Sequence, residues 1–277
     1  MTTSGPLAVV GGGNMALAIL QGGISAGVLQ PGGVIVSEPD AGKHAALRSL
    51  GVQVVASNAA LMEGLAPGVQ VLLAVKPQQL GEVGAELSPH LLGGRWPVAL
   101  SILAGTPASV VRRALGGAVR VVRLMPNTPA RVQRGITAVS LGEGATEADA
   151  AFALALFGSV GEVVRIDEDM MDAFTAVAAS GPAYVYWLAQ AMVQSARSLG
   201  FDEQMASLIV RQTVVGAGAM LDSVDEPPGR LLANVQSKGG TTEAAMKVLE
   251  AAGAVDTFVR ALTAARDRGR ELAGPRD

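Results

Sequence analysis

A glycine-rich stretch near the amino terminus has the residue types that could hold an anionic ligand. Residues 7–16 contain a short apolar run, the motif Gly-x-Gly-x-x-Ala and the start of a predicted helix. Gly11 would permit a tight turn, Gly13 would let the backbone approach a pyrophosphate, and Ala16 would let the helix pack closely. The amides at the helix start would face the phosphates. Other Gly-rich strand-to-helix turns share this motif. Its position at the start of an alternating strand and helix pattern is what favours a dinucleotide-binding turn over an ordinary one.

Glu38 stands at the end of the second predicted strand, where an acidic side chain usually receives the ribose 2′-hydroxyl of NAD. The same carboxylate would repel the 2′-phosphate of NADP. Ser37 and Asn58 are neutral hydrogen-bonding residues in reach, and Lys43 could swing toward a phosphate. The choice between NAD and NADP therefore stays open, and an ordinary surface glutamate is an equally good interpretation.

Lys76 directly follows the apolar run 69–75, and Pro77 ends that run. This position lies at the carboxyl edge of a parallel sheet, where open α/β folds bind ligands. Ala104 and Gly105 follow the next run and would line the same crevice, leaving room for a nicotinamide ring against the backbone. A solvated lysine at a strand end and a simple tight turn explain these residues nearly as well.

Residues 237–243 place two glycines and two threonines immediately before a predicted helix. Amides at such a start can bind a carboxylate, and a threonine hydroxyl there can hydrogen-bond a substrate nitrogen. The plainer interpretation is a helix cap with Glu243 in the first turn and Lys247 as its ion-pair partner four residues later. Residues 180–182 likewise indicate first a cap and a helix start, and only second part of a site.

The elements that must position these residues alternate between short β-branched runs and helical patterns, which is typical of a parallel sheet with crossover helices. After about Asp167 the strand signal ends and the rest of the chain indicates helix. The predicted fold is therefore α/β, a Rossmann-type mostly parallel sheet followed by an all-helical part. The predicted strands are 7–10, 34–37, 52–55, 69–75, 98–103, 119–124, 137–140 and 162–166.

We expect two domains, a dinucleotide-binding domain over residues 1–166 and a helical substrate and dimerisation domain over residues 167–277. Pro182 lies just inside one predicted helix, Asp202 can cap another, and residues 227–229 separate two more. These helices are apolar on more than one face. A small bundle could not hide that much apolar surface alone, so an interface between copies of the chain is the natural place for it.

Composition narrows the classes of function. With 21 Lys and Arg against 24 Asp and Glu, the chain has no basic surface for nucleic acid or an anionic membrane, which favours a small-molecule partner. The absence of cysteine excludes thiolate metal sites and a cysteine nucleophile, and it allows a cytoplasmic location. Only two histidines are present, so we expect no metal site. The uncharged stretches 1–37 and 173–196 are broken by glycine, proline or glutamine, so we expect no membrane span.

Taken together, five segments resemble pyrroline-5-carboxylate reductase over almost the whole chain. The glycine motif is shared with many dehydrogenases, whereas Met-Pro-Asn-Thr-Pro, Ser-Gly-Pro-Ala-Tyr and Gly-Gly-Thr-Thr are more specific. The segments are 10–16, 74–78, 123–129, 180–184 and 239–242.

The resemblance implies an NAD(P)H-dependent oxidoreductase that reduces the C=N bond of 1-pyrroline-5-carboxylate to L-proline, the last step of proline biosynthesis. It implies a Rossmann domain and a helical dimerisation domain, with active sites completed between subunits of a homodimer or of a larger ring of dimers such as a decamer. NADP(H) is favoured by the resemblance, and Glu38 also allows NAD(H). The implied cofactor contacts are Val10, Gly11, Gly12, Gly13, Asn14, Met15, Ser37, Glu38, Asn58, Val75, Lys76, Pro77, Ala104 and Asn234. The implied substrate contacts are Glu168, Ser180, Gly240, Thr241 and Thr242, with Thr242 as the catalytic hydroxyl that bonds the ring nitrogen.

Three positions depart from the family pattern, and two other functions stay open. Lys238 stands where the family usually has proline, Ala179 where glycine is common, and Glu38 where a small hydroxyl or polar residue is frequent. A β-hydroxyacid dehydrogenase is the nearest rival enzyme, although its expected catalytic lysine after a Gly-rich segment of the second domain is not found. A protein that senses NAD(P) without turnover is the rival from another class.

Overall fold

The computed structural model describes residues 6–63, 68–91 and 98–273, and the described part of the chain contains eight strands. Each of the eight predicted strands overlaps one of them. The strands are β1 (Leu7–Val10), β2 (Val34–Ser37), β3 (Gln53–Val55), β4 (Gln70–Leu73), β5 (Val98–Ser101), β6 (Arg120–Met125), β7 (Gly135–Leu141) and β8 (Gly161–Arg165).

All eight strands form one sheet in the order β3-β2-β1-β4-β5-β6-β7-β8. Six of the neighbouring pairs are parallel, and β6 with β7 is the antiparallel one. On its two sides β1 pairs with β2 and with β4, so the strand order reverses at β1. This confirms the predicted Rossmann-type, mostly parallel sheet and places its switch point beside the glycine turn.

Helices cover both faces of the sheet. Successive side chains along a strand point to opposite faces, so each strand contributes residues to both cores. In β1, Leu7 and Val9 belong to the core cluster on one face, which includes Phe157. Ala8 and Val10 belong to the cluster on the other face. Two cores therefore hold β1 firmly, and the turn that follows it has a fixed position.

Helices cover the sheet and then make up the rest of the described chain after β8, as predicted. Asp202 caps one of them, because its carboxylate accepts a hydrogen bond from the Met205 amide at 2.8 Å. The helices are α1 (Asn14–Ser25), α2 (His44–Arg48), α3 (Asn58–Glu63), α4 (Leu80–Leu91), α5 (Ala108–Ala114), α6 (Glu147–Gly158), α7 (Met171–Phe174), α8 (Gly181–Ser198), α9 (Glu203–Ser223), α10 (Pro228–Val235), α11 (Thr241–Ala251) and α12 (Ala254–Ala273).

Contacts divide the chain into two compact units, Met1–Ser180 with Ala265–Asp277, and Gly181–Ala264. The end of α12 belongs to the first unit: a Cβ built on Gly105 would lie 3.5 Å from the Gly269 carbonyl oxygen and 3.5 Å from the Leu272 Cβ. The second unit is wholly helical in the structure. The domain boundary expected after residue 166 marks where strands give way to helices.

The second unit exposes large apolar side chains. On α8, Tyr186 is 65% exposed and Trp187 is 62% exposed in the single chain. Inside the unit, the rings of Tyr184 and Phe258 meet edge to face with their centres 6.2 Å apart. No helix among the described residues combines the length and apolar character needed to cross a membrane.

Candidate active site

The turn after β1 needs a glycine at its first position for reasons internal to the fold. Gly11 has φ +97°, a left-handed conformation that disfavours a side chain. Its amide donates to the Ser37 carbonyl oxygen at 2.9 Å, which ties the turn to the end of β2. A Cβ built on Gly11 would lie 2.7 Å from the Ala74 carbonyl oxygen. The neighbouring strand therefore leaves no room for a side chain at this position.

Gly13 has no such internal reason to be glycine. Its φ is −71°, an ordinary value for any residue, and it forms the amino-terminal cap of α1. A Cβ built on Gly13 would meet no heavy atom within 4 Å. The open space over its backbone is therefore available to a ligand, and it lies at the amino end of α1, where unpaired amides favour an anion. These residues fit the pyrophosphate of a dinucleotide.

A cleft of about 330 Å³ opens beside this turn, at the carboxyl ends of β1, β2 and β4. We call it the switch-point cleft. It gathers eight of the predicted cofactor contacts and several residues that the sequence did not single out. Its lining residues are Val10, Gly11, Gly13, Ser37, Glu38, Pro39, Lys43, Ala56, Ser57, Asn58, Ala74, Val75, Lys76, Gln79, Glu82, Val83 and Glu86.

Three predicted cofactor residues lie at the turn but outside the cleft lining. The amide of Gly12 points to Glu38, and a Cβ on Gly12 would lie 2.5 Å from a Leu47 methyl carbon. Asn14 is the first residue of α1 and is exposed. Met15 is half-buried and packs against the core. Their roles toward a cofactor stay predictions.

Three further predicted contacts lie elsewhere in the fold. Pro77 begins a short 3₁₀ turn directly after Lys76, but it does not end β4 as expected, because that strand already ends at Leu73. Ala104 is exposed beyond the end of β5 and is not part of the cleft lining. Asn234 belongs to the second unit, where its side-chain amide donates to a Glu226 carboxylate oxygen at 3.3 Å.

Glu38 is a buried acidic residue of the switch-point cleft, with only 4% of the residue exposed. One carboxylate oxygen accepts from the Gly12 amide at 2.9 Å, and the other accepts from the Asp40 amide at 3.0 Å. The Lys43 ammonium lies 3.1 Å from that second oxygen. Burial alone would raise the pKa of the Glu38 carboxyl, but the amides of Asp40 and Gly12 and the Lys43 ammonium together hold this pKa below its ordinary value.

Two other cleft residues differ in how firmly they are held. The Asn58 side-chain amide donates to a Glu86 carboxylate oxygen at 2.7 Å, and both residues line the cleft. The backbone amide of Lys76 donates to the Gln79 side-chain oxygen at 3.1 Å. The Lys76 residue is exposed.

The turn at residues 239–242, hereafter the 239–242 turn, lies in the second unit. Gly239 has φ +75°, which favours glycine, whereas a Cβ on Gly240 would lie 2.4 Å from the Ser237 hydroxyl oxygen and 3.0 Å from the Ser237 carbonyl oxygen, so a side chain at Gly240 would require Ser237 to shift. Glu243 accepts from the Gly239 amide at 2.6 Å and pairs with Lys247 at 3.4 Å. The plainer interpretation, an acidic residue in the first turn, therefore describes part of this segment.

The two threonines of the 239–242 turn remain placed for a ligand. Thr241 and Thr242 are the first residues of α11, and Gly240 caps it without a side-chain bond. The first intrahelical bond runs from the Ala244 amide to the Gly240 carbonyl oxygen at 3.2 Å, so the amides of Thr241 and Thr242 precede it. Thr241 is exposed and Thr242 is half-buried. Such a helix start can hold a carboxylate.

Glu168, a predicted substrate contact, lies in the first unit away from the switch-point cleft. Its carboxylate accepts from the Ala108 amide, the first residue of α5, at 2.6 Å and lies 3.3 Å from the buried Arg123 guanidinium. It also borders a second cleft of about 360 Å³ with Ser140 and Arg165. No sequence pattern indicated that Glu168 stabilises the start of α5, and its role toward substrate stays a prediction.

Ser180 ends a π-helical turn, Thr175–Ala179, through a bond from its amide to the Thr175 carbonyl oxygen at 2.9 Å. Asn127 supports this turn: its side-chain amide donates to the Ala178 carbonyl oxygen at 3.1 Å, and its side-chain oxygen accepts from the Ile136 amide at 3.0 Å. Sequence reasoning did not assign Asn127 a role, although it lies inside the specific Met-Pro-Asn-Thr-Pro segment. Within the described ranges, no group of three or more metal-ligating side chains is arranged to hold a metal ion.

Two family models match the chain. Residues 168–272 match pyrroline-5-carboxylate reductase dimerisation. Residues 6–105 match NADP oxidoreductase coenzyme F420-dependent.

The chain is also similar, over nearly its whole length, to curated proteins from distant organisms. The pyrroline-5-carboxylate reductase of Pisum sativum is 35% identical over 273 residues, which cover 99% of this chain and 98% of the relative. That of Methanosarcina acetivorans is 36% identical over 266 residues, which cover 95% of this chain and 96% of the relative.

Solved structures agree with these relatives. A pyrroline-5-carboxylate reductase from Coxiella burnetii is 33% identical with a TM-score of 0.87, covering 98% of this chain and 99% of the other. A Plasmodium falciparum pyrroline carboxylate reductase with NADP bound is 25% identical with a TM-score of 0.84, covering 97% and 98%. A Streptomyces aurantiacus imine reductase, 17% identical with a TM-score of 0.55 and coverages of 98% and 95%, shares the fold alone.

Proposed function

The chain belongs to the pyrroline-5-carboxylate reductase family and reduces 1-pyrroline-5-carboxylate to L-proline; we propose that a reduced nicotinamide nucleotide occupies the switch-point cleft while the 239–242 turn holds the imine. Family membership makes it an oxidoreductase acting on a cyclic C=N bond, and it decides against the β-hydroxyacid dehydrogenase and the sensor that the sequence left open. NADP(H) is favoured by the family, and Glu38 also allows NAD(H).

In the proposed complex, the bound cofactor would supply the hydride that adds to the imine carbon of the pyrroline ring, the carbon double-bonded to the ring nitrogen. The residues of the chain bind and orient. Amides at the start of α1, beside Gly13, receive the pyrophosphate, and Lys76 and Val75 flank the nicotinamide half. The observation that carries this assignment is the open space above Gly13, because the fold by itself does not require glycine there.

The 239–242 turn would act on the substrate in two ways. The amides of Thr241 and Thr242 hold the carboxylate, since both precede the first intrahelical bond of α11. The Thr242 hydroxyl bonds the ring nitrogen and fixes the orientation of the C=N plane. No strong general acid is required of the chain, because the nitrogen arrives protonated or takes its proton from water.

We propose a dinucleotide-binding domain over residues 1–166 and a helical substrate and dimerisation domain over residues 167–277, which the dimerisation model over residues 168–272 supports. The exposed apolar face of α8, with Tyr186 and Trp187, supports burial against a second copy of the chain. We also propose that the active sites are completed between subunits and that dimers assemble into a larger ring such as a decamer. We propose a cytoplasmic location for the protein.

An assay that offers several substrates to the purified chain tests the proposed function. We expect NADH or NADPH to be oxidised when 1-pyrroline-5-carboxylate is added, with proline formed in equal amount by chromatography. We expect no reduction of NAD or NADP by 3-hydroxy acids. Turnover of a 3-hydroxy acid without turnover of the pyrroline would contradict the proposed reaction.

A further inference from the structure

Carboxylates outnumber cations among the charged residues that line the switch-point cleft. Of the lining residues, Glu38, Glu82 and Glu86 are carboxylates, whereas Lys43 and Lys76 are the cations. A 2′-phosphate, the one group that distinguishes NADP from NAD, carries nearly two negative charges and is normally met by arginine or lysine. This cleft therefore offers poor surroundings for that group.

We infer that Glu38 makes this chain prefer NAD(H) to NADP(H), in contrast to the cofactor that its family suggests; the inference rests on the proposed use of the switch-point cleft. Glu38 lies directly after β2, where the adenosine ribose binds in Rossmann folds. Its carboxylate is fixed from two sides by the Gly12 and Asp40 amides, at 2.9 Å and 3.0 Å. It cannot swing away from an incoming 2′-phosphate without breaking both bonds.

The fixed carboxylate still has capacity for a ribose hydroxyl. A carboxylate offers about four acceptor positions, and three donors, the Gly12 amide, the Asp40 amide and the Lys43 ammonium, occupy only part of them. The oxygen that faces Gly12 accepts only that one bond among the described contacts. A 2′-hydroxyl can donate to it, whereas a 2′-phosphate at neutral pH presents mainly acceptor oxygens and repels it.

Ionisation of Glu38 supports the same conclusion. The two amides and Lys43 outweigh the effect of burial, and the pKa of this carboxyl lies below its ordinary value. The group is therefore charged at neutral pH. Repulsion of a 2′-phosphate then operates throughout the range in which both nicotinamide nucleotides are assayed.

Lys43 is the cation that could rescue NADP binding, and it is already engaged. Its ammonium lies 3.1 Å from a Glu38 oxygen and 3.8 Å from an Asp40 oxygen. Turning it toward a phosphate would leave the buried Glu38 without its cation, which costs free energy. Asp40 cannot take the place of Lys43 beside Glu38, because Asp40 is itself negatively charged. Lys43 therefore supports binding of the 2′-hydroxyl more than binding of the phosphate.

The test is the binding of NADH and of NADPH to the unmodified chain without imine, measured by isothermal titration calorimetry. We expect NADH to bind at least about tenfold more tightly, as like charges in close contact require. In Glu38→Gln the ratio of the Kd for NADPH to the Kd for NADH should fall by about tenfold, mainly because NADPH binds more tightly to the variant. Glu162→Gln removes the same charge from an exposed position on β8, the edge strand at the far end of the sheet from β2. This control variant should leave the ratio unchanged.

Two results would overturn the inference while leaving the reductase function intact: NADPH binding as tightly as NADH to the unmodified chain, or an unchanged ratio in folded Glu38→Gln. The ratio in the unmodified chain decides the question even if that variant fails to fold. Absence of binding by either nucleotide would overturn the inference together with the proposed use of the cleft. If NADPH binds more tightly than NADH and the protein still turns over the pyrroline, the inference about cofactor preference is wrong and the proposed reductase function stands.

Discussion

The side-chain amide of Asn127 donates a hydrogen bond to the carbonyl oxygen of Ala178, 3.1 Å away. This bond ties the segment after β6 to the π-helical turn that precedes Ser180. A π-helical turn displaces carbonyl oxygens from the regular helical pattern, and such turns are frequent at functional sites. Asn127 supplies a partner for one of them and, through its oxygen, holds the Ile136 amide at the start of β7.

Asn127→Ala should lower the free energy of unfolding by about 1–3 kcal/mol, because it removes the hydrogen-bond partner of the part-buried Ala178 carbonyl and of the part-buried Ile136 amide. Urea unfolding followed by circular dichroism measures the change. Gln21→Ala, which removes an exposed amide from α1, should change stability by less than about 0.5 kcal/mol. Equal stability of the two variants would show that the Asn127 bonds do not support the turn.

Gly13→Ala should leave the fold intact and weaken NADH binding by at least about tenfold, the loss of a hydrogen bond to a charged group. The added methyl meets no protein atom within 4 Å but occupies the space proposed for the pyrophosphate. Binding by calorimetry and the thermal midpoint of unfolding give the two readings. A variant that binds NADH like the unmodified chain would remove Gly13 from the cofactor site.

Gly11→Ala should do the opposite and damage the fold itself. Its positive φ and the Ala74 carbonyl oxygen 2.7 Å from the new Cβ predict a loss of about 2 kcal/mol or more in the free energy of unfolding. Urea unfolding measures this loss. Unchanged stability would mean that the β1 turn can relax, and the contrast between Gly11 and Gly13 would disappear.

Thr242→Ala should lower kcat/KM for 1-pyrroline-5-carboxylate by about ten- to a hundredfold, the cost of one hydrogen bond to the ring nitrogen in the transition state. The Kd for NADH should not change, since the proposed cofactor contacts lie in other segments. Thr242→Ser keeps the hydroxyl and should recover most of the activity. Wild-type kinetics in Thr242→Ala would exclude this hydroxyl from the reaction.

Asp149 should contribute to the loss of stability in acid. Arg120 donates to both its oxygens, at 2.9 Å and 2.7 Å, and the Thr146 amide and hydroxyl donate to one of them, at 2.8 Å and 2.9 Å. The Arg120 bonds above all lower the pKa of Asp149 against a smaller opposing effect of burial. Because this pKa is lower in the folded state than in the unfolded chain, the stabilisation is complete above the unfolded value of about 4 and is lost as the pH falls through the folded value.

Urea unfolding between neutral pH and about pH 3 tests this pH dependence, and the range follows from the ordinary pKa of an aspartate. Asp149→Asn should cost about 1–3 kcal/mol at neutral pH and show a shallower fall of stability in acid. Asp169→Asn, at an exposed position, should keep the slope of the unmodified chain. A slope that Asp149→Asn leaves unchanged would contradict the assignment.

Local patterns predicted most of the fold because each strand carries its own signal. β1 and β2 were predicted to the residue, and all described strands end before the helical part begins. The antiparallel direction of β7 could not be predicted from its alternation of residues, because the pattern is the same in both directions. The return of the end of α12 to the first unit also depends on packing partners that no local pattern specifies.

The candidate site was predictable where strand ends define it. Gly13, Glu38 and Lys76 follow neighbouring parallel strands, whose carboxyl ends must meet at one edge of the sheet. The bonds that hold Glu38 were not predictable, since they depend on how the Gly12 turn approaches the end of β2. The same is true of Glu168, whose partner Ala108 is far away in the sequence.

The proposed reaction requires that the glycine turn after β1 and the 239–242 turn serve the same active site. A crystal structure of the assembled protein with an oxidised nicotinamide nucleotide and L-proline measures this directly. We expect both turns to line one cleft, within a chain or between chains, with the proline nitrogen about 3 Å from the Thr242 hydroxyl. Nucleotide and proline bound at separate surfaces, in every pair of chains, would contradict it.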